Sequence, residues 1–126
     1  MNIVNLITTI ALLNNVDPIL ALSIAKTESN LNPNMLGKVG EIGLFQVRPQ
    51  YYKQYTKKQL FDLKTNINVG IHHLKYSINH CKHKRKFDSV LCYNLGVTGA
   101  SRIKYPSLHK YVKLVKGNYE QLQIKR

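Results

Sequence analysis

Acidic residues are scarce in this chain: six Asp and Glu stand against nineteen Lys and Arg, a formal charge of +13 over 126 residues. Such an excess makes a poor home for a divalent cation. It favours anionic partners instead: nucleic acid, an anionic polymer or a membrane surface. Cysteine is scarce too. Cys81 and Cys92, with ten residues between them, fit no zinc pattern, which needs four ligands at tight spacing. They are expected as two unpaired, buried thiols, the commoner state of such residues. A disulfide is the alternative if the protein works outside the cytoplasm. Long hydrophobic runs are missing. The apolar stretch from Ile3 to Leu13 is too short to span a bilayer. It lacks a basic start and a small-residue cleavage site, so it reads as a buried first helix rather than a signal peptide. There is no internal repeat, low-complexity run or linker. Sustained apolar–polar alternation is also absent, so strands are not expected.

What remains is a helical pattern. The length suits one domain with a core and is too short for two, and a hydrophobic share of 44% excludes disorder. Asp17-Pro18 opens a helix, an acid at the N-cap followed by Pro at the first helical position, that continues to Ser29. Thr56 caps a short helix through Leu63. Ile67, Ile71, Leu74 and Ile78 recur at spacings of three and four, one face of a long helix from about Lys64 to Cys81. The basic run Lys82 to Lys86 is a solvated turn. Phe87 to Leu95 is a further helix ended by Gly96. Leu108, Tyr111, Val112 and Val115 mark a last helix from about Ser107. The chain is therefore expected as a single, mainly α domain over 1–126, with one long irregular loop from Asn30 to Gly43.

One acid is oddly placed. Glu28 closes the Asp17-Pro18 helix, where the partial negative charge of a helix C-terminus disfavours a carboxylate. Ile24, Ala21 and Leu20 lie four, seven and eight residues earlier and share its face. Desolvation against that stripe and the negative helix end both push its pKa up. A carboxyl held protonated near neutral pH is what a general acid requires. The plainer reading is a side chain turned outward to meet a lysine.

The residues that follow separate these readings. Glu28-Ser29, Asn32-Pro33, Gly40 and Gly43-Leu44-Phe45-Gln46, then Pro49, resemble the opening motif of the lytic transglycosylase domain with the lysozyme-like fold. Three later stretches are similar to that family in the same order: Asn66-Ile67 with Gly70 and Leu74, then Tyr93-Asn94 with Gly96, then Tyr111-Val112. The resemblance spans about residues 16 to 116. It implies a mainly α, lysozyme-like domain that cleaves peptidoglycan between N-acetylmuramic acid and N-acetylglucosamine, without metal or organic cofactor. It also implies Glu28 as sole acid and base, closing a 1,6-anhydro ring on the muramoyl product.

By the same resemblance, Gln46 lines the sugar cleft and bonds substrate, Tyr93 orients the Glu28 carboxyl, and Asn94 braces the cleft wall. Ser29, Gly37 and Gly43 border the substrate. Ser29 is a helix-end hydrogen-bonding residue rather than a nucleophile, since no base pairs with it. The chain departs from the family pattern in several places. Gly37 stands where a Ser is common, nine residues after the acid. Phe45 replaces Met and Cys92 replaces Ala. Arg48 stands where Met is common and would face a peptide-stem carboxylate or solvent. Glu41 occupies a position usually held by a small residue. It is either a loop carboxylate facing solvent or a basic side chain, or a second acid that positions water and turns the outcome toward hydrolysis.

Other constellations are weaker. Gly37, Gly40 and Gly43 do not form the nucleotide-binding pattern and follow no strand. His72, His73, His80 and His83 read as an exposed polar face rather than a metal site. Lysines scattered along the whole chain are a poor nucleic-acid footprint, so no nucleic-acid partner is expected. A non-catalytic peptidoglycan-binding module is a further alternative. The expected partner is the glycan strand, reached by a monomer without a membrane span. With no signal peptide expected, delivery to the cell wall would fall to a phage particle or a secretion apparatus.

Overall fold

The computed structural model describes residues 2–124. Six α-helices carry the architecture: α1 (Ile3–Leu13), α2 (Pro18–Ser29), α3 (Lys57–Phe61), α4 (Leu63–His80), α5 (Leu91–Ser101) and α6 (Lys110–Ile124). Three short 3-10 turns punctuate them at Pro49–Tyr51, Asp88–Val90 and Pro106–Leu108. No strand forms among the described residues; two isolated antiparallel bridges, Leu36–Ile42 and Ile42–Val47, are the nearest approach to a sheet. No helix among them is long and apolar enough to cross a membrane. The mainly α expectation therefore holds.

Local chemistry explains where the helices start. Asp17 caps α2, its Oδ1 accepting from the Ile19 N–H at 2.9 Å, with Pro18 next in line. Thr56 and Gln59 satisfy each other's backbone N–H groups in a capping box ahead of α3. Asp62 caps α4 through the Thr65 N–H. In α1, Ile7, Ile10 and Ala11 face the core while Leu12 and Leu13 stay exposed. The core runs from these residues through Leu20, Ala21 and Ile24 of α2, Ile67, Ile71 and Leu74 of α4, and Val112 and Val115 of α6. Helices α2 and α6 pack along each other, which decides what the end of α2 meets.

Three expectations need correction. Cys81 and Cys92 are not free thiols. They form a disulfide with Cα atoms 5.9 Å apart, because the basic turn folds the C-cap of α4 back onto the first turn of α5. That turn is not fully solvated either. Lys82, Lys84 and Arg85 are exposed, but Lys86 bonds Asp17 at 2.6 Å and the Tyr119 hydroxyl at 2.7 Å, while His83 Nε2 meets the Ala100 carbonyl. Two anchors thus tie the turn to α2, α5 and α6. Finally, Gly96 does not end its helix. It takes φ +79° inside α5 and kinks it, a conformation open to glycine at little steric cost. Residues 97–101 continue as helix and bury Ala100.

Candidate active site

The loop after α2 holds its shape without a sheet because side chains from three helices peg it. Asn66, 1% exposed on α4, accepts from the Phe45 N–H at 3.0 Å and donates to the carbonyls of Ile42 and Leu60 at 2.8 and 2.9 Å. Gly70 follows one helical turn later on the same face. A Cβ there would lie 2.3 Å from the Phe45 side chain, so the missing side chain is the seat of the Phe45 ring. The Asn66-x-x-x-Gly70 spacing is thus a clasp for the loop. Ser29 adds a second peg, its hydroxyl bridging the carbonyls of Ala25 and Leu44. Tyr93 adds a third, its hydroxyl donating to the Phe45 carbonyl.

This corrects two assignments. Ser29 is buried and bonds only within the chain, so it does not border substrate. Tyr93 lines the cleft but spends its hydroxyl on the loop backbone. The residue that holds the carboxyl is Tyr111, on α6. Its hydroxyl donates to Glu28 Oε2 at 2.7 Å. Burial and the charge of Glu28 push the Tyr111 phenol well above its usual pKa, so it stays a donor.

Glu28 lies at the end of the α2 stripe formed by Leu20, Ala21 and Ile24, all buried. Burial raises its carboxyl to about 7, opposed by the Tyr111 hydrogen bond, with the charge of Glu41 raising it further and that of Arg48 lowering it. Among the described residues no buried side-chain oxygen or nitrogen lacks a partner. Oε2 has Tyr111; Oε1 has no partner among the described residues and is therefore not fully buried, and Glu28 lines the cleft. One oxygen is held and the other free, which is the geometry for delivering a proton to a bound molecule.

The cleft has a volume of about 540 Å³. It is lined by Glu41, Gln46 and Arg48 from the loop after α2, by Tyr93, Asn94 and the kinked stretch of α5, and by Tyr52, His73 and Tyr76. Gln46 sits at φ +50°, in the left-handed region that side chains other than glycine seldom adopt. Its own amide holds it there, Nε2 donating to Gly43 and Met35 carbonyls at 2.9 and 3.2 Å. The amide nitrogen is therefore engaged, and Oε1 is the atom available to a ligand.

Gly37 and Gly43 are not part of the cleft lining. Gly43, at φ +76°, lies so close to Asn66 that a Cβ would come within 2.5 Å of the amide nitrogen. At Gly37 a Cβ would come within 2.6 Å of both Glu41 Oε1 and Gln46 Oε1. The two departures at 37 and 41 are thus one change: the Glu41 side chain passes over the place where a side chain at 37 would stand. Glu41 Oε1 also accepts from the Val39 N–H at 2.9 Å. Glu41 is thus a partly exposed carboxylate with one oxygen tied to its own loop.

Sequence reasoning put His73 on an exposed face and gave Tyr111 no role in the site. Tyr111 stood out as a helix-face aromatic and as part of the closing motif of the resemblance. His73 is not on an exposed face, unlike His72 and His80; it is half-buried between Tyr52 and Tyr93. A signal for it exists: Asn66, Gly70, His73 and Ser77 recur at spacings of four, three and four, a non-aliphatic stripe beside the apolar one of Ile67, Ile71, Leu74 and Ile78.

A helical domain with one half-buried carboxyl at a helix end, braced by a tyrosine and facing an open groove, defines the class. The family model described as "Transglycosylase SLT domain" matches residues 5–107, and the chain belongs to that family, with its lysozyme-like fold. It is 35% identical over 86 residues to the soluble lytic murein transglycosylase of Escherichia coli (strain K12), covering 60% of this chain and 13% of that protein. The protein of the same name from Escherichia coli O157:H7 matches with the same figures. This chain thus covers a small part of the length of both relatives.

Proposed function

We propose that this protein cleaves the β-1,4 bond between N-acetylmuramic acid and N-acetylglucosamine in peptidoglycan strands, as a lytic transglycosylase with Glu28 as its acid and base. The observation that carries the reading is the state of Glu28: a cleft-lining carboxyl at about 7 with one oxygen on Tyr111 and the other without a partner among the described residues. Protonated Glu28 donates to the glycosidic oxygen as the bond from C1 breaks. The carboxylate left behind takes the proton of the muramoyl C6 hydroxyl as O6 bonds to C1. The 1,6-anhydro ring closes, no water is consumed, and Glu28 regains its proton. A pKa near the working pH suits a group that serves in both directions. The similarity to soluble lytic murein transglycosylases supports the same substrate. In this reading Gln46 accepts from a sugar hydroxyl or amide, Asn94 contacts the strand from α5, and exposed Arg48 meets a stem-peptide carboxylate.

A second reading is hydrolysis, favoured by the placement of Glu41 in the same cleft, where its charge acts on Glu28. A water held by Glu41 against C1 would leave a reducing muramic end. The products decide. Purified sacculi are digested with wild type and Glu28→Gln, and the released muropeptides are weighed by mass spectrometry. Anhydromuramic ends, lost in the variant, are the expected result. Reducing ends would favour hydrolysis, and no release by wild type would leave a peptidoglycan-binding module.

A further inference from the structure

His73 is the cleft residue for which the reaction above has no use. It continues the α4 stripe whose first two members, Asn66 and Gly70, are occupied by the loop. Its imidazole is wedged edge-on between two rings, Tyr52 at a centroid distance of 6.0 Å and Tyr93 at 5.1 Å. Tyr93 is itself locked by its bond to Phe45, so one flank of the imidazole is fixed. His72, His80 and His83 each spend a ring nitrogen on a backbone carbonyl, of Asn68, Tyr76 and Ala100. His73 makes no hydrogen bond among the described residues. Since no buried polar side-chain atom there lacks a partner, neither of its ring nitrogens is fully buried, and His73 borders the cleft.

We propose that His73 is a substrate-positioning residue that reads an N-acetyl sugar of the glycan strand, one ring nitrogen donating to the acetamido carbonyl or a neighbouring hydroxyl and the other accepting. The inference rests on the glycan-cleaving function proposed above. The chemistry favours an amide over an anion. Burial pushes the His73 pKa below its ordinary value, so the ring is neutral at neutral pH and offers one donor and one acceptor. Its aromatic flanks suit the acetamido methyl group. A carboxylate would seek the guanidinium of Arg48, which also lines the cleft. His73 and Glu28 line the same cleft, and the role assigned to His73 is to hold substrate.

The test uses the Glu28→Gln protein, which binds without turnover, and a purified peptide-free tetrasaccharide of alternating N-acetylglucosamine and N-acetylmuramic acid. Nitrogen-15 NMR follows the histidine rings during titration. The His73 ring nitrogens should shift at saturation while those of His72 and His80 stay fixed. His73→Phe in that background should bind about tenfold more weakly, as for the loss of one hydrogen bond or two, and His73→Gln should recover most of the affinity. In the active protein His73→Phe should raise KM and leave kcat nearly unchanged, a split that a folding defect would not produce. Binding without a His73 shift, or equal affinity in His73→Phe, overturns the proposal while leaving the enzyme reading intact. No binding by the Glu28→Gln protein, with no release of muropeptides by wild type, removes both.

Discussion

Tyr111 and Glu28 lie 83 residues apart in the chain, and the phenol of one donates to the carboxyl of the other at 2.7 Å. The bond favours the charged carboxylate, while burial favours the neutral acid and dominates. The pKa near 7 is the balance of the two. A carboxyl that was only buried would hold its proton too tightly to act as a base.

Tyr111→Phe should unbalance it. Without the donor, the Glu28 pKa rises above about 7. The acid step needs the proton on Glu28, so the alkaline limb of the pH profile for kcat/KM should move to higher pH. The optimum rate should fall about tenfold as the carboxyl loses its orientation. Turbidity loss of sacculi against pH reads both. A limb that stays in place would show that Tyr111 does not set the acid.

Glu41→Gln should do the reverse. Its charge raises the Glu28 pKa, so the neutral amide lowers it and the alkaline limb moves to lower pH. If the transglycosylase reading holds, anhydromuramic ends persist in the products. If Glu41 positions water, release collapses instead.

Stability carries the same signature without any substrate. The Glu28 pKa is raised in the folded state from an ordinary 4.5 to about 7. The native state therefore binds the proton more tightly than the unfolded chain does. The stability this confers is complete below about pH 4.5 and is lost as pH rises through about 7, on the order of 3 kcal/mol for a shift of this size. Glu28→Gln should abolish that slope and leave the variant more stable than wild type at alkaline pH. Urea midpoints at about pH 5 and about pH 9 measure it. Equal slopes in the two proteins would mean the carboxyl is solvated.

Reduction tests the Cys81–Cys92 bridge. Its loop of 11 residues' separation corresponds to about 3 kcal/mol of unfolded-state entropy. Cys81→Ala with Cys92→Ala should lower the melting temperature by a comparable margin, and a reducing agent should do the same to wild type but nothing to the variant. Because Cys92 lines the cleft beside Tyr93, activity in the double variant should fall at temperatures well below its melting point.

The parts legible in the sequence were those with local causes. Asp17-Pro18 and Thr56 announce helix starts because a cap acts within three residues. The α4 stripe announces itself by period. Glu28 stood out because a carboxylate at the end of an apolar stripe contradicts the helix around it. The parts that stayed hidden are tertiary. Ser29 and Tyr93 bear hydroxyls suited equally to a sugar or to a backbone carbonyl, and only the position of the loop decides. The spacing of Cys81 and Cys92 does not say that the basic turn doubles back. Gly96 permits a left-handed φ, and that serves a bend as well as an end. Tyr111 could not be matched to Glu28 until α6 was laid along α2.

That last pairing bears on how the protein is made. A ribosome delivers Glu28 before Tyr111, so the nascent chain holds its acid without the hydroxyl that tunes it until α6 has been made. On the proposed reading, competence waits for α6 to dock onto α2, and a chain stopped ahead of Lys110 should fail to cleave sacculi.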